Sequence, residues 1–261
     1  MELLVAHPEY YRSQIKPRNF QAWCDMYEAH NGPLGLWELA SIYKGEVVRR
    51  VWMKNVVTDS GAKALLQRMW NASSATLPPI FNQIAITTNG GSTVLTSTIT
   101  LSNTYSTLSV ANLPAPLAAN TVLTLGFGTG TTQNVTLSTS ASISASTLNV
   151  NVFTASATFV PGSNVVPQPN VTDNPITLSG TIAYSGPLPT TAFTYSGSGA
   201  GNRQVQVQYL FDVTTTAGNY TESWLVNNVP PSTDQTSTHI IFPAEVVSPS
   251  TAFQITLIEK L

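Results

Sequence analysis

Residues Thr121 to Ser140 read TVLTLGFGTGTTQNVTLSTS, and the glycine cluster at their centre, Gly126-Phe127-Gly128-Thr129-Gly130, decides the fold. A phosphate-binding glycine loop needs backbone N–H groups converging at a helix N-terminus, and usually a Lys to meet the anion. Here Leu123, Leu125 and Phe127 alternate onto one face before the cluster, and Val135 and Leu137 alternate after it. No amphipathic pattern follows, and no Lys or Arg is near. Two alternating runs around a glycine-rich gap predict a β-hairpin. Gly126, Gly128 and Gly130 then turn the chain and bind nothing.

The surrounding sequence extends this reading. From Asn71 to Thr172 there is no Asp, Glu, Lys, Arg or His, and Tyr105 is the one side chain with an ordinary titration. General acid–base catalysis needs a group that ionises near working pH. Metal sites need His, Cys or carboxylates, and phosphate neutralisation needs cations. The block is Thr, Ser, Asn, Gly, Ala and Val with spaced Leu and Phe, a composition suited to half-buried strands and tight turns.

Across the 261 residues only 9% are charged and the net charge is −2, against about 25% charged in typical soluble domains. Near-zero charge promotes association, so a surface covered by partners and a homo-oligomeric state are expected. The single cysteine, Cys24, excludes an internal disulfide and reads as a small core residue beside Trp23 and Tyr27. The first residues, MELLVAHPEYYRSQ, hold no apolar run of signal-peptide length. No stretch approaches the roughly 18 apolar residues of a membrane helix, so no membrane contact is expected. Sequons begin at Asn71, Asn134, Asn170 and Asn219, as chance provides in a chain rich in Asn, Ser and Thr.

Charge divides the chain. Residues 1–70 hold nine of the eleven Lys and Arg and seven of the thirteen acids. In KPRNFQAWCDMYEAHNG, Phe20, Trp23 and Tyr27 share a helical face. GEVVRRVWMKNVV reads as a strand, and TDSGAKALLQRMW as a helix with Leu65, Leu66 and Met69 buried. Period two takes over at IFNQIAITT. Within the uncharged block, STLSVANLPAPLAANTVLTL from Ser106 and STLNVNVFTASATFVPGSNV from Ser146 resemble each other, with Leu108 matching Leu148. Two such halves suggest one compact barrel or sandwich. In RQVQVQYLFDV, Val205, Val207, Tyr209, Phe211 and Val213 oppose Gln204, Gln206 and Gln208. NYTESWLVN, STHIIFPAEVV and STAFQITLIEKL supply further strands, and the C-terminus is expected to be paired. The fold expected is mainly β: sandwich or barrel modules with a small α/β N-terminal region. The units are an anchor at 1–72, a β-sandwich from 73–91 plus 173–261, and an inserted β domain at 92–172.

WMKNVVTDSGAKALLQRMW, IFNQIAITTN, GSGAGNRQVQVQYLF, YTESWLV and HIIFPAEVVSPSTAFQITLIEKL together resemble tailed-bacteriophage virion proteins. The shared pattern is a helix after N-x-V-T-x-x-G, an I-A-I strand, a strand opening on T-E, an aromatic–proline step and a closing strand. It covers most of residues 52–91 and 173–261. LSVANLPAPLAANTVLTLGFG is similar to small β modules of phage head and tail structural proteins. The chain departs from the simpler pattern by carrying the block between Asn89 and Asp173. The resemblance implies no catalytic, cofactor-binding or metal-ligating residue, and none is assigned.

Three functions compete. The first is a virion structural protein, made in the bacterial host cytoplasm, at the capsid surface (decoration or minor capsid) or in the tail and baseplate, contacting itself and other virion proteins. Its N-terminal region, with four of the five Trp, would anchor it. The second is a receptor- or carbohydrate-binding adhesion module, in which Trp224, Tyr184, Tyr195 and Tyr220 stack on sugar rings of a glycan or host receptor. Strand aromatics are more often core. The third is a tailspike hydrolase, which needs two adjacent carboxylates from Asp173, Asp212, Glu222, Asp234, Glu245 and Glu259. These sit in no motif, and His7, His30 and His239 lack metal-ligand spacing. No cofactor is expected. Nucleic-acid binding is disfavoured because residues 71–202 contain no Lys or Arg.

Overall fold

The computed structural model describes residues 34–54, 56–57, 61, 81–101, 105–127, 131–152, 157–169, 178, 180–196, 204–227 and 236–260. Outside them lie the two expected helices, apart from Gly61, and Cys24, His7, His30, Gly128, Gly130, Asp173 and Asp234. The strands are β1 (Leu34–Tyr43), β2 (Glu46–Lys54), β3 (Val56–Val57), β4 (Gln83–Thr87), β5 (Thr93–Val94), β6 (Ile99–Thr100), β7 (Tyr105–Ser109), β8 (Val122–Leu125) and β9 (Gln133–Leu137). They continue with β10 (Thr147–Asn151), β11 (Thr158–Phe159), β12 (Asn164–Pro167), β13 (Ile182–Tyr184), β14 (Phe193–Ser196), β15 (Gln204–Phe211), β16 (Gly218–Val226), β17 (Thr236–Val247) and β18 (Thr251–Lys260). The protein is mainly β, built of curled antiparallel sheets.

Two five-stranded sheets form a sandwich, ordered β14-β15-β18-β1-β2 and β13-β4-β16-β17-β3. Alternation explains their inner faces. In β18, Phe253, Ile255 and Leu257 point inward with Gln254 and Thr256 between. They join Trp37, Leu39, Val207, Phe211, Ile84, Ile86, Ile240 and Phe242 in one core. Each such side chain contributes about 1.5–3 kcal/mol on leaving water, which outweighs any single surface contact. In β17 the register against β16 shifts between Tyr220 and Glu222. Pro243, which has no N–H to donate, falls inside that shift.

The boundary drawn at residue 72 does not separate packing units. β1 lies between β2 and β18, and β3 pairs with β17, so the described part of the N-terminal region completes both sheets of the sandwich. Charge density distinguishes residues 1–70 in sequence, but a strand joins whichever edge offers it hydrogen bonds. The strand β1, LGLWELASIY, has no counterpart in the sequence reading, because its apolar residues follow no clean alternation.

Residues 93–167 form a sheet of their own, ordered β5-β12-β8-β9-β10-β7. Its end strands are joined as well. Leu95 bridges Val110, the Thr96 N–H donates to Ser109 O at 3.0 Å, and the Ala111 N–H donates to Val94 O at 2.9 Å. These contacts join the two ends of the sheet, which curls into a barrel. Leu95, Leu108, Leu123, Leu125, Val135, Leu137, Leu148 and Val150 fill it.

The expected hairpin is present: β8 and β9 pair from Val122↔Thr136 to Leu125↔Gln133. Phe127 does not share the face of Leu123 and Leu125. It packs against the sandwich core instead, because Gly126 adopts φ +69° and ends the alternation there. A Cβ on Gly126 would lie 2.3 Å from Thr131 O and 2.7 Å from the Phe159 ring, whereas one on Gly162, at φ +83°, would meet nothing within 4 Å. Gly126→Ala should therefore destabilise the protein by more than the ~1–2 kcal/mol of left-handed strain alone, and Gly162→Ala by no more than that strain. Denaturant unfolding of both variants checks this; equal losses would contradict the crowding at Gly126.

Candidate functional site

The polar side chains that the sandwich brings together fall into three groups, two of them on opposite sides of the second sheet. Away from the main core, Glu222 on β16 lies across from Thr87 on β4, and Trp224 across from His239 on β17. The Thr87 hydroxyl donates to Glu222 Oε2 at 2.7 Å. His239 Nε2 lies 2.8 Å from Glu222 Oε1. The His239 imidazole stacks on the Trp224 indole with centroids 3.4 Å apart and planes at 9°. Trp224 and His239 are buried. The carboxylate sits between hydroxyl and imidazole. Activating a nucleophile needs the imidazole between hydroxyl and acid, so this chain of bonds fastens three strands together.

Between the sheets, the Ser41 hydroxyl donates to Glu245 Oε2 and Arg49 Nη1 meets Glu245 Oε1, both at 2.5 Å. On the other face of the first sheet, Arg50 pairs with Glu38. Glu38 and Glu245 are both only 3% exposed. Burial pushes the Glu38 carboxyl up from its ordinary 4.5 to about 7, against the opposing pull of Arg50. Burial also raises Glu245, with Arg49 and the Ser41 bond opposing. Asp212 is different: exposed, and lowered by the hydroxyl and N–H of Thr214.

A carboxyl near 7 has the value a general acid or base needs, and Glu38 had no place among the sequence candidates. A buried carboxylate already engaged by an arginine reaches no substrate, so the shift records the desolvation of an ion pair. The adjacent Arg49-Arg50 and Glu38 in apolar strands were the available signal. Among the sequence candidates, Glu222 and Glu245 face opposite sides of their sheet and cannot flank one bond as glycosidase carboxylates do. Glu259 lies on β18. Of the four candidate sugar-stacking aromatics, Trp224 and Tyr220 are fully buried, Tyr184 packs beside Ala85 and Trp224, and Tyr195 alone is exposed, at 79%. Among the described residues no three His, Cys, Asp or Glu converge to hold a metal, and no helix is long and apolar enough to cross a membrane.

No protein-family model matches the chain, and no curated protein is significantly similar to it.

The raised Glu38 gives a signed pH dependence. Between pH 4.5 and about 7 the folded state keeps the Glu38 proton that the unfolded chain has lost. That stabilisation is complete below pH 4.5 and lost as pH rises through about 7. It is on the order of 3 kcal/mol by linkage. Glu245 adds in the same direction. The melting temperature should thus fall from pH 5 to pH 8. Glu38→Gln, which resembles the protonated carboxyl the folded parent keeps below about pH 7, should show a shallower fall. An unchanged slope in Glu38→Gln would exclude Glu38 as its source.

Proposed function

We propose that the chain is a structural protein of a tailed-bacteriophage particle, assembling with itself and neighbouring particle proteins at the capsid surface or in the tail and baseplate. The observation that carries the reading is the closed, uncharged barrel set into a sandwich. Its exposed hydroxyls and amides bond one another: Thr124 to Asn134 at 3.0 Å, Thr107 to Asn149 at 3.2 Å, and Thr100 with Thr158 at 2.9 Å. Such a surface loses little on packing against a neighbour, because it has no charge to desolvate, and interface cores are depleted of charge. Val94, Ile143 and Val160 add exposed apolar contacts. The resemblance of residues 52–91 and 173–261 to virion proteins supports the same role. Glu38, Glu222 and Glu245 serve strand-to-strand bonds, and the reading includes no enzymatic activity, no cofactor and no nucleic-acid contact.

One observation favours receptor or glycan binding as the second reading: Tyr195 stands exposed on the short edge strand β14. The two readings separate in solution. A structural protein sediments as oligomers at high micromolar concentration, occurs in contiguous copies in intact particles, and gives no signal on a glycan array. Monomeric sedimentation together with isolated copies in the particle would refute assembly. A glycan signal abolished by Tyr195→Ala would establish the second reading.

A further inference from the structure

We infer that the barrel is a covalently linked pseudo-dimer: each half buries a surface that fits a second copy of the same half, supplied here within the chain. A local two-fold axis carries one half onto the other. β5, β8 and the turn at 118–121 move onto β9, β12 and the turn at 160–163 by 42 positions (Asn120 to Gly162). β7 moves onto β10 by 40 positions (Leu108 to Leu148).

The hydrogen bonds come in mated pairs. Asn120 N–H donates to Leu137 O at 2.8 Å, and Gly162 N–H to Leu95 O at 2.8 Å. Leu137 N–H donates to Thr121 O at 2.9 Å, and Leu95 N–H to Ser163 O at 2.9 Å. Gly126 N–H donates to Asn164 O, and Gln168 N–H to Val122 O, both at 2.8 Å. Ser138 N–H donates to Asn149 O at 2.8 Å, and Thr96 N–H to Ser109 O at 3.0 Å. The registers obey the same operation. Val122↔Thr136 has its mate in Asn164↔Val94, and Leu123↔Val135 in Val165↔Thr93. Ile99↔Phe159 has its mate in Ala141↔Leu117, and Val150↔Leu137 in Val110↔Leu95. Two pairs map onto themselves, Thr124↔Val166 and Leu108↔Leu148, so the axis passes through both. Asn120 and Gly162 even share the left-handed conformation, at φ 67° and 83°.

A tandem repeat stacked by translation would carry bonds from each half to the next in one direction. Bonds running reciprocally in both directions are the mark of an isologous interface. Each half alone would leave its apolar face in water: Leu95, Leu117 and Leu123 in one, their mates Leu137, Phe159 and Val165 in the other, all six buried. The symmetry breaks where the barrel meets the sandwich, at Phe127, whose mate is Pro169. This inference stands on the barrel alone and does not depend on a particle role.

The test symmetrises the full chain. Residues 135–141 take the sequence of 93–99, TVLTSTI; residues 159–167 take that of 117–125, LAANTVLTL; and Asn149→Ser is added. If the first half fits a copy of itself, the Leu108 and Leu148 amides remain protected from hydrogen exchange. Loss of both protections while the sandwich amide of Ile255 stays protected overturns the inference. Should the symmetrised chain fail to fold, a milder exchange decides: Asn120→Gly with Gly162→Asn gives each turn its mate's residue. The inference requires a melting temperature within about 5 °C of the parent, and a larger fall rejects it.

Discussion

The pairing of β1 with β18 is the contact on which the sandwich rests. Ten successive residues stand in register, from Leu34↔Lys260 to Tyr43↔Thr251, joining segments from the two ends of the described chain. β15 pairs with the other edge of β18, and β2 with the other edge of β1. The turn at Ser248–Ser250, closed by reciprocal Ser248–Thr251 backbone bonds, leads from β17 into β18 and so attaches the second sheet to the first. Without β1, the Trp37 and Leu39 side chains leave the core and β18 becomes an edge.

A long insertion is compatible with this arrangement because closure entropy grows only with the logarithm of loop length. The chain also leaves and re-enters the sandwich at neighbouring points. β4 ends at Thr87 and β13 begins at Ile182, and these two residues are register partners. The departing segment is fastened by the Gly90 N–H donating to the Thr221 hydroxyl at 2.8 Å. The barrel then satisfies its own backbone by closing on itself, and Phe127 returns to the sandwich core.

Electrostatics follows the same division. The barrel is neutral, and three carboxylates of the sandwich make bonds between strands: Glu38 with Arg50, Glu245 with Arg49 and Ser41, Glu222 with His239 and Thr87. Buried ion pairs of this kind add little net stability, because desolvation offsets attraction. Their effect here is to select register. Arg49 and Arg50, adjacent on β2, point to opposite faces and find different acids, so a one-residue slip would break both pairs.

The hairpin around Gly126, the strands of the last third and the mainly β character were legible in the sequence, because alternation is a local property and Phe253, Ile255 and Leu257 display it plainly. The similarity of Leu108 and Leu148 was legible too, as a repeat. That these two residues face each other across a two-fold axis was not, since few positions apart from Ser106-Thr107-Leu108 keep their identity in the second half. The fate of the ionisable groups was also hidden. Glu38 and Glu222 are unremarkable in the sequence, and their partners lie on other strands.

The sequence by itself determined which residues share a face, where the chain turns and where no charge is present. Those are set by side-chain period, by backbone freedom at glycine and by composition. Tertiary structure alone decided that β1 lies between β2 and β18, that the uncharged strands close into a barrel, and that Glu38 titrates near neutrality. Strand alternation specifies a face but not a neighbour, and the cost of a charge depends on what other parts of the chain remove from water around it.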